Sequence, residues 1–299
     1  TMHKQLALVN MVRMGKNPPI GLVYLLSWIK YYCPGWEIEL IDARFDDVVG
    51  ELSKDKRDYI GFSAMTATYQ EALEVATKLK ASGQKAPIIL GGVHCTVLPN
   101  HISPVFDLVL PGEAEHKLTS LLNAGSPNKL DKVDLTSYPD IRYDAFNHKY
   151  FDPTFSVFWR GTIRQGHILT TRGCVFSCRF CASISFWKHY AMHTPEWIIK
   201  QLCTLVDMGC SHIYCWDDLF ILDKPRLKKI AEQFEAAGLR SKIKSMTAQG
   251  RVTLFNDEVC ELLRSMNVNY VSFGIETGSD RLLKYLKSGK SSVVLNTKA

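Results

Sequence analysis

The first 124 residues alternate between two patterns of hydrophobic positions. In the segments 20–29 and 69–80, apolar residues recur at the spacing of one helical face, i, i+3, i+4 and i+7. Short apolar runs typical of buried strands lie around these segments, at 6–9, 36–41, 59–63, 87–90 and 106–110. Strands that alternate with helices predict a doubly wound, Rossmann-like parallel sheet over residues 1–124.

Small or polar residues follow four of these strands. The loops are 10–13, 63–66, 91–94 and 111–113, each at the carboxyl end of a predicted strand. Open parallel sheets bind ligands outside those ends, and glycines there let a large planar or phosphate-bearing ligand approach the backbone. The sequence therefore predicts a ligand site at this edge, although His94 alone is equally compatible with a hydrogen-bonded structural histidine.

The regular pattern breaks between residues 125 and 165. Pro127, Pro139 and Pro153 interrupt this segment. Its aromatic residues are Tyr138, Tyr143, Phe146, Tyr150, Phe151, Phe155, Phe158 and Trp159. The pattern favours a linker whose aromatic side chains pack in the interior. The alternative is that some of them line a cleft between two domains.

A second alternation of strands and helices fills residues 166–299. Strands are predicted at 167–171, 212–216, 244–250 and 270–273, and helices follow them at 194–208, 224–237, 256–266 and 280–287. Thr194 and Pro195 supply an N-cap and a first-turn proline for the first of these helices. Four βα units predict part of a parallel barrel, whose functional face lies at the carboxyl ends of its strands.

Composition and charge are those of an ordinary globular protein. Hydrophobic residues make up 46% and charged residues 22% of the chain. The longest apolar run, 20–29, is shorter than the roughly 20 residues that span a bilayer, and no secretion signal is recognised at the N-terminus. The net charge of +6 is spread along the chain, so it permits a nucleic-acid or other anionic substrate without indicating one.

Three of the nine cysteines, Cys174, Cys178 and Cys181, lie within eight residues. Thiolates at this density, in a chain without secretory features, are more often metal ligands than disulfide partners. An odd number of close ligands favours an iron–sulfur cluster with one open iron over a closed four-ligand site. Zinc, with His189 as a fourth ligand, is the alternative. The other six cysteines lie scattered among apolar residues, and the pattern implies a reducing, cytoplasmic location.

The C-x3-C-x2-C spacing, with the aromatic Phe180 before the third cysteine and βα units downstream, resembles the radical S-adenosylmethionine (SAM) superfamily. The resemblance implies that the three cysteines hold a 4Fe–4S cluster whose fourth iron is chelated by SAM. It also implies an external one-electron reductant of the flavodoxin or ferredoxin type, and cleavage of SAM to a 5′-deoxyadenosyl radical. The family barrel has more strands than the four predicted here, so we expect a C-terminally incomplete barrel.

The same resemblance places SAM contacts at the ends of the later strands. Asp217 and Asp218 end the second strand, where an acidic residue usually meets the SAM ammonium group. Arg251 ends the third strand, and its planar guanidinium is suited to the SAM carboxylate. Glu276 ends the fourth strand at the expected contact with the ribose or amino-acid portion, and Phe180 completes the implied SAM-binding set. Each charged side chain alone is also compatible with a helix cap or a surface charge.

The N-terminal half resembles the cobalamin-binding domain that precedes the radical SAM barrel in one large subfamily. The matching stretches are 18–26, 60–66, 90–94 with Pro99, and 111–113. The resemblance implies cobalamin contacts at Ser63, Met65, Thr66, Gly91, Gly92, His94 and Gly112. No Asp-x-His-x-x-Gly motif is present, so the lower-axial histidine of cobalamin mutases is not expected. The methylthiotransferase relatives match less well, because their N-terminal domain brings further cysteine ligands.

Together the resemblances predict a cobalamin-dependent radical SAM enzyme that transfers a methyl group to an unactivated carbon or phosphorus centre. A cyclase or rearrangement enzyme, and a radical SAM enzyme that no longer binds cobalamin, are alternatives. An iron–sulfur or zinc scaffold or electron carrier is the alternative outside enzymes. The substrate, a small molecule or a peptide, is not identified. The expected domains are a cobalamin-binding domain at 1–124, a linker at 125–165 and the barrel at 166–299.

Overall fold

The computed structural model describes residues 4–13, 17–54, 56–130, 132–156, 160–289 and 291–298. The chain divides into two compact units. The first comprises Thr1–Val133 with Ile141–Asn147, and the second comprises Asp134–Asp140 with His148–Ala299. The segment predicted as a linker thus contributes residues to both units. Two of its aromatic residues, Phe158 and Trp159, and the side chain of Phe155 lie outside the described part.

The first unit is built on a parallel five-stranded sheet. Its strands are β1 (Lys4–Asn10), β2 (Trp36–Asp42), β3 (Tyr59–Ser63), β4 (Ile88–Gly91) and β5 (Leu108–Leu110). They lie in the order β2-β1-β3-β4-β5, so the winding direction changes beside β1. The last five residues of β1 are all buried, because a parallel strand in the middle of a sheet is covered on both faces.

Helices lie between these strands, and one more helix follows β5. They are α1 (Ile20–Tyr32), α2 (Val48–Lys54), α3 (Tyr69–Ala81), α4 (Val93–Val97) and α5 (Glu115–Ala124). α1 begins directly after Pro18-Pro19 and ends before Pro34, since proline fits a first helical turn but lacks the amide that continues a helix. The indole Nε1 of Trp28 in α1 donates to Thr119 Oγ1 in α5 at 3.0 Å, which joins the two helices.

The second unit contains a parallel four-stranded sheet in the order β13-β12-β11-β8 and two short antiparallel pairs. Its strands are β6 (Thr154–Ser156), β7 (Gly161–Ile163), β8 (Gln165–Ile168), β9 (Thr171–Arg172), β10 (Ala191–Met192), β11 (His212–Cys215), β12 (Ser245–Gly250) and β13 (Val268–Phe273). Its helices are α6 (Ser183–Trp187), α7 (Pro195–Asp207), α8 (Lys224–Ala236), α9 (Leu239–Lys242), α10 (Asp257–Ser265), α11 (Asp280–Leu286) and α12 (Val293–Lys298). The predicted α/β class, a Rossmann-like sheet followed by a second parallel sheet of four βα units, is confirmed.

The chain leaves the sheet at the end of β8, two residues before the antiparallel pair β9–β10. The backbone amide of Thr170 donates to Asp217 Oδ1 at 2.5 Å. A side-chain oxygen thus takes the place of the backbone carbonyl that a neighbouring strand would offer. The carbonyl of Thr170 accepts from the backbone amide of His193 and from Arg226 Nη2, both at 3.0 Å. The predicted strand 167–171 is therefore shorter than expected, and the two-residue strand β9 follows it.

The described part of the segment 125–165 contains short 3-10 helices and the antiparallel pair β6–β7. The 3-10 helices are Leu135–Ser137, Tyr143–Ala145 and His148–Tyr150. The aromatic side chains at 138, 143, 146, 150 and 151 are buried, as the packing interpretation requires. No helix in the described part of the chain is long and apolar enough to cross a bilayer.

Candidate functional site

The three clustered cysteines lie in one loop of the second unit, between β9 and α6. All three are half-buried, and every cysteine of the chain is free. The amide of Cys181 donates to the carbonyl of Cys178 at 3.1 Å, which closes the second half of the loop. Gly173 opens the loop with φ +82°, and a Cβ there would lie 2.0 Å from the carbonyl oxygen of His189. Only glycine fits at this position, so the approach of the chain to the first cysteine is fixed.

The electrostatics of the loop show which groups lie near each other. Burial is the main cause that raises the pKa of the Cys174 thiol, and the charges of Asp218, Cys178 and Cys181 raise it further. The other two cysteines and the carboxylate of Asp218 therefore lie within electrostatic reach of Cys174.

The described side chains do not form a mononuclear metal site. Among the residues that the structure describes, no three histidine, cysteine, aspartate or glutamate side chains converge to hold one metal ion. His189 is therefore not part of such a group with the three cysteines. A four-iron cluster needs a wider arrangement, because each thiolate binds its own iron atom. Free, half-buried thiols on a single loop fit that arrangement.

The two neighbouring aspartates after β11 have different environments. Asp217 is fully buried, and its carboxylate accepts hydrogen bonds from the amide and the hydroxyl of Thr170, both at 2.5 Å. Burial is the main cause that raises the pKa of Asp217. Asp218 is exposed and accepts a hydrogen bond from the hydroxyl of Ser183, two residues after the third cysteine. Of the two aspartates, Asp218 is therefore the one whose carboxylate a ligand can reach.

Arg251, directly after β12, reaches the cysteine loop. Its side chain is buried, and its Nη1 points to Cys178 Sγ at 4.0 Å. The Nη2 donates to the carbonyl of Lys287 at 3.2 Å, and the guanidinium carbon lies 4.3 Å from the ring centre of Phe176. The buried Nε has no hydrogen-bond partner among the described residues.

Glu276 and Phe180 lie at the periphery of the same face. Glu276 is exposed, with φ +66°, and its Oε1 lies 3.6 Å from Lys287 Nζ. That ammonium also donates to the carbonyl of Gly274. Phe180 is 54% exposed, which leaves its ring accessible to a ligand. Sequence reasoning missed Ser183, Phe176 and Lys287, because nothing local marks residues that act through contacts distant in sequence.

The predicted contacts of the first unit lie together at the carboxyl edge of its sheet. In the strand register Ser63 is opposite Gly91, and Gly91 is opposite Leu110, two residues before Gly112. Met65 and Thr66 follow β3 and are exposed. The structure therefore brings the loops after β3, β4 and β5 side by side.

Gly92 is required at this edge. It has φ +94°, and a Cβ there would lie 2.7 Å from the carbonyl oxygen and 2.9 Å from the amide nitrogen of Ala64. Thr96, which sequence reasoning missed, joins two of the loops. Its hydroxyl donates to the carbonyl of Gly92 at 2.9 Å and accepts from the amide of Gly112 at 2.8 Å. The only local signal is a hydroxyl residue one helical turn after the glycine pair.

His94 is held in place on two sides and has one unused ring nitrogen. Its Nδ1 lies 3.2 Å from Thr66 Oγ1, and its ring stacks on Tyr69 with centroids 3.9 Å apart. Its Nε2 is buried and has no hydrogen-bond partner among the described residues. Burial is the main cause that lowers the pKa of His94, so the ring is neutral at pH 7 and offers one hydrogen bond.

Exposed apolar side chains surround these polar groups. Met65, Val93, Val97 and Leu98 are each at least about one-third exposed, around the ends of β3 and β4. Exposed apolar side chains close together in sequence are compatible with a binding face. With the unused nitrogen of His94, this edge fits a large ligand that has an apolar face and polar substituents, as a corrin has.

Comparison with known proteins identifies both units. Residues 7–122 match the family model of the B12 binding domain, and residues 168–297 match that of the Radical SAM superfamily. An uncharacterized methyltransferase of Pyrococcus horikoshii is 27% identical over 91% of this chain and 64% of its own length. The anaerobic magnesium-protoporphyrin IX monomethyl ester cyclase of Cereibacter sphaeroides is 24% identical over 89% of this chain and 48% of its own length.

The solved structures show the same fold. The radical SAM methyltransferase TsrM from Kitasatospora setae, with cobalamin and a [4Fe-4S] cluster bound, superposes with a TM-score of 0.76 at 17% identity. The match covers 99% of this chain and 64% of TsrM, so the chain spans about half to two-thirds of the relatives it matches. The B12 binding domain match precedes the Radical SAM match, and together the two matches cover most of the chain. The chain therefore belongs to the cobalamin-binding radical SAM superfamily.

Proposed function

We propose that this chain is part of a cobalamin-dependent radical SAM enzyme that transfers a methyl group to an unactivated carbon or phosphorus centre. The observation that carries the proposal is the loop of three free thiols at one strand end, faced by Asp218 and Arg251 from the next two strands. A B12 binding domain precedes this loop in the same chain. When bound, the 4Fe–4S cluster and SAM supply a 5′-deoxyadenosyl radical, and methylcobalamin supplies the methyl group.

In the second unit, Cys174, Cys178 and Cys181 hold the cluster. Asp218, exposed and oriented by the hydroxyl of Ser183, binds the ammonium group of SAM. Asp217 belongs to the same predicted SAM site. Through its hydrogen bonds with Thr170 it would hold the end of β11, where Asp218 lies, in place.

Three further side chains complete the SAM site in this proposal. Arg251 has a free Nε that suits the SAM carboxylate. Glu276 contacts the ribose or the amino-acid portion once it turns from Lys287. The exposed ring of Phe180 covers the ligand from the side of the cysteine loop.

In the first unit, the proposed cobalamin site is the carboxyl edge of the sheet. Gly91, Gly92 and Gly112 keep the backbone open to the corrin, and Met65 packs against its apolar face. Ser63, Thr66 and His94 donate or accept hydrogen bonds at its polar substituents. The unused Nε2 of His94 supports this assignment.

Methyl transfer is supported by the Pyrococcus relative and by TsrM, both of which are named methyltransferases. Cyclisation is the second candidate, because the Cereibacter cyclase aligns over almost as much of the chain. The two differ in product, since methyl transfer consumes one methyl group for each product and cyclisation consumes none. The proposal also includes a cytoplasmic location and an external reductant of the flavodoxin or ferredoxin type. The nine free cysteines support a reducing compartment. The domain boundaries 1–124, 125–165 and 166–299 remain part of it.

Anaerobic reconstitution tests the proposal. The full chain is treated with iron and sulfide, then hydroxocobalamin, and then reductant with SAM. We expect about four irons per chain, broad visible absorbance, bound cobalamin and formation of 5′-deoxyadenosine. Cys178→Ala is expected to lose the cluster while the first unit still binds cobalamin. Cys203→Ala, a half-buried cysteine in α7, is the matched control that keeps both.

Each alternative function predicts a different result in the reconstitution experiment. A loaded cluster that binds SAM and never cleaves it, in this chain and in one extended to the length of its relatives, would refute the enzyme. SAM cleavage without retained cobalamin would select a radical SAM enzyme that has lost cobalamin binding. Loss of both cofactors in Cys178→Ala would show that the two units are not separate binding domains.

A further inference from the structure

The last turn of α11 and the residues after it hold the cysteine loop. The amide of Arg179 donates to the carbonyl of Leu286 at 2.9 Å. The hydroxyl of Ser288 donates to the carbonyl of Ser177 at 2.7 Å, and the two serine hydroxyls lie 3.3 Å apart. The middle of the loop, on either side of Cys178, is thus fixed by hydrogen bonds with the end of α11 and with the residues that follow it.

Arg251 is part of the same contact. Its Nη2 donates to the carbonyl of Lys287, its guanidinium lies over the ring of Phe176, and its Nη1 points to Cys178 Sγ. A planar guanidinium held by a carbonyl on one side and an aromatic face on another has one defined orientation. In that orientation one of its N–H groups points towards the sulfur of the central cysteine.

The charge of Arg251 is not balanced by a carboxylate. Among the described residues, none forms an ion pair with it, whereas the neighbouring Lys287 has Glu276 at 3.6 Å. The side chain of Arg251 is 6% exposed, so water screens its charge poorly. The guanidinium charge therefore acts strongly on its near neighbours, one of which is Cys178 Sγ, 4.0 Å from Nη1.

We propose that Arg251 tunes the reduction potential of the cluster, in addition to any contact with SAM. The inference rests on the proposed function, since it requires that Cys178 binds a 4Fe–4S cluster. One electron from an external low-potential donor converts the cluster to a form that is more negative by one charge, and no bond or proton moves. A fixed positive charge and an N–H donor beside one ligand sulfur stabilise that form and raise the potential.

The test measures the potential of the full chain in the absence of SAM. The anaerobically reconstituted wild type, Arg251→Gln and Arg251→Lys are titrated with mediators, and the reduced cluster is followed by electron paramagnetic resonance. For Arg251→Gln we expect the ratio of reduced to oxidised cluster at a fixed potential to fall about tenfold, which is a shift of about 59 mV to lower potential. Arg251→Lys keeps the charge and is expected to restore most of the difference.

Ser288→Ala is the matched control. It removes the contacts that the hydroxyl after α11 makes with Ser177 of the same loop, and it changes no charge. We expect it to leave the potential unchanged even if it weakens cluster retention. Equal shifts in Ser288→Ala and Arg251→Gln would overturn the inference, because the effect would then come from loop geometry. An Arg251→Gln variant with a full complement of cluster and an unchanged reduction potential would overturn the inference as well.

A second measurement applies if Arg251→Gln binds no cluster. Wild type, Arg179→Lys and Arg251→Lys are labelled with 15N-arginine and reduced, and nitrogen hyperfine coupling to the cluster is recorded. Coupling that persists in Arg179→Lys and disappears in Arg251→Lys supports the inference, and its absence in wild type overturns it. Failure of the wild type to form a cluster, or to bind SAM, would refute the proposed function instead. The two failures are therefore distinguishable.

Discussion

Substitution by alanine is expected to affect different properties at the neighbouring residues Asp217 and Asp218. Asp217→Ala removes a carboxylate that accepts two hydrogen bonds from Thr170 in the protein interior. Asp218→Ala removes one that is exposed and accepts a single hydrogen bond from Ser183. The first change is therefore predicted to reduce stability, and the second to reduce ligand binding.

The size of the effect follows from the contacts. Hydrogen bonds to a charged group contribute about 1.5–3 kcal/mol each. Against this stands the unfavourable burial of the Asp217 carboxyl group, which is the main cause of its raised pKa. The expected net loss for Asp217→Ala is about 3 kcal/mol, or about 10 °C in the melting temperature of a domain of this size. Asp218→Ala is expected to stay within about 0.5 kcal/mol of wild type.

Three measurements check this difference. Calorimetry of the cofactor-free chain gives the melting temperatures. Hydrogen exchange, followed by mass spectrometry, reports the amide of Thr170, which loses its acceptor in Asp217→Ala only. Equilibrium dialysis of the reconstituted chain gives SAM affinity, which we expect to fall at least tenfold in Asp218→Ala. Equal melting temperatures for the two variants, or unchanged protection of Thr170 in Asp217→Ala, would refute the reasoning.

Two further predictions concern stability. Gly92→Ala places a Cβ within 2.9 Å of two backbone atoms of Ala64 at a positive φ, so we expect a loss of about 2–3 kcal/mol by calorimetry, while Gly35→Ala, with open space around it, stays near wild type. Burial lowers the pKa of His167 from 6.5 to about 3, so the unfolded chain takes up the proton first. Stability is then complete above about pH 6.5 and falls by about 1.4 kcal/mol per pH unit below it. His167→Gln is expected to flatten the denaturation profile between pH 7 and 5, and an unchanged profile would contradict this.

The hydrophobic pattern was sufficient for the two parallel sheets, because their strands are buried on both faces or alternate regularly with amphipathic helices. It was not sufficient for the short elements. The two residues of β9 and the five of α6 carry no period of their own. The strand β9 follows a point at which Asp217 and Arg226 take over the backbone groups of Thr170, and these contacts are distant in sequence.

The residues of the candidate site also differ in how far the sequence could predict them. Spacing alone predicted that the three cysteines bind a metal cluster, because close thiols have few other uses, and the structure places them in one loop. Spacing could not separate Asp217 from Asp218, because adjacent residues after a strand point in opposite directions and the sequence does not say which direction is inward. Nor could it find Lys287, whose carbonyl meets Arg251 only after the helix α11 has folded back onto the loop.

The strand β13 has a consequence for how the isolated chain behaves at high concentration. It is the last strand of its sheet and, within the described ranges, pairs with β12 only. Its outer backbone amides and carbonyls are a template on which an extended segment of another molecule can add. Association through this edge depends on the backbone, so charge changes elsewhere on the surface would not prevent it. A proline or an outward-facing lysine in β13 would, and either is the rational choice for obtaining a monodisperse sample.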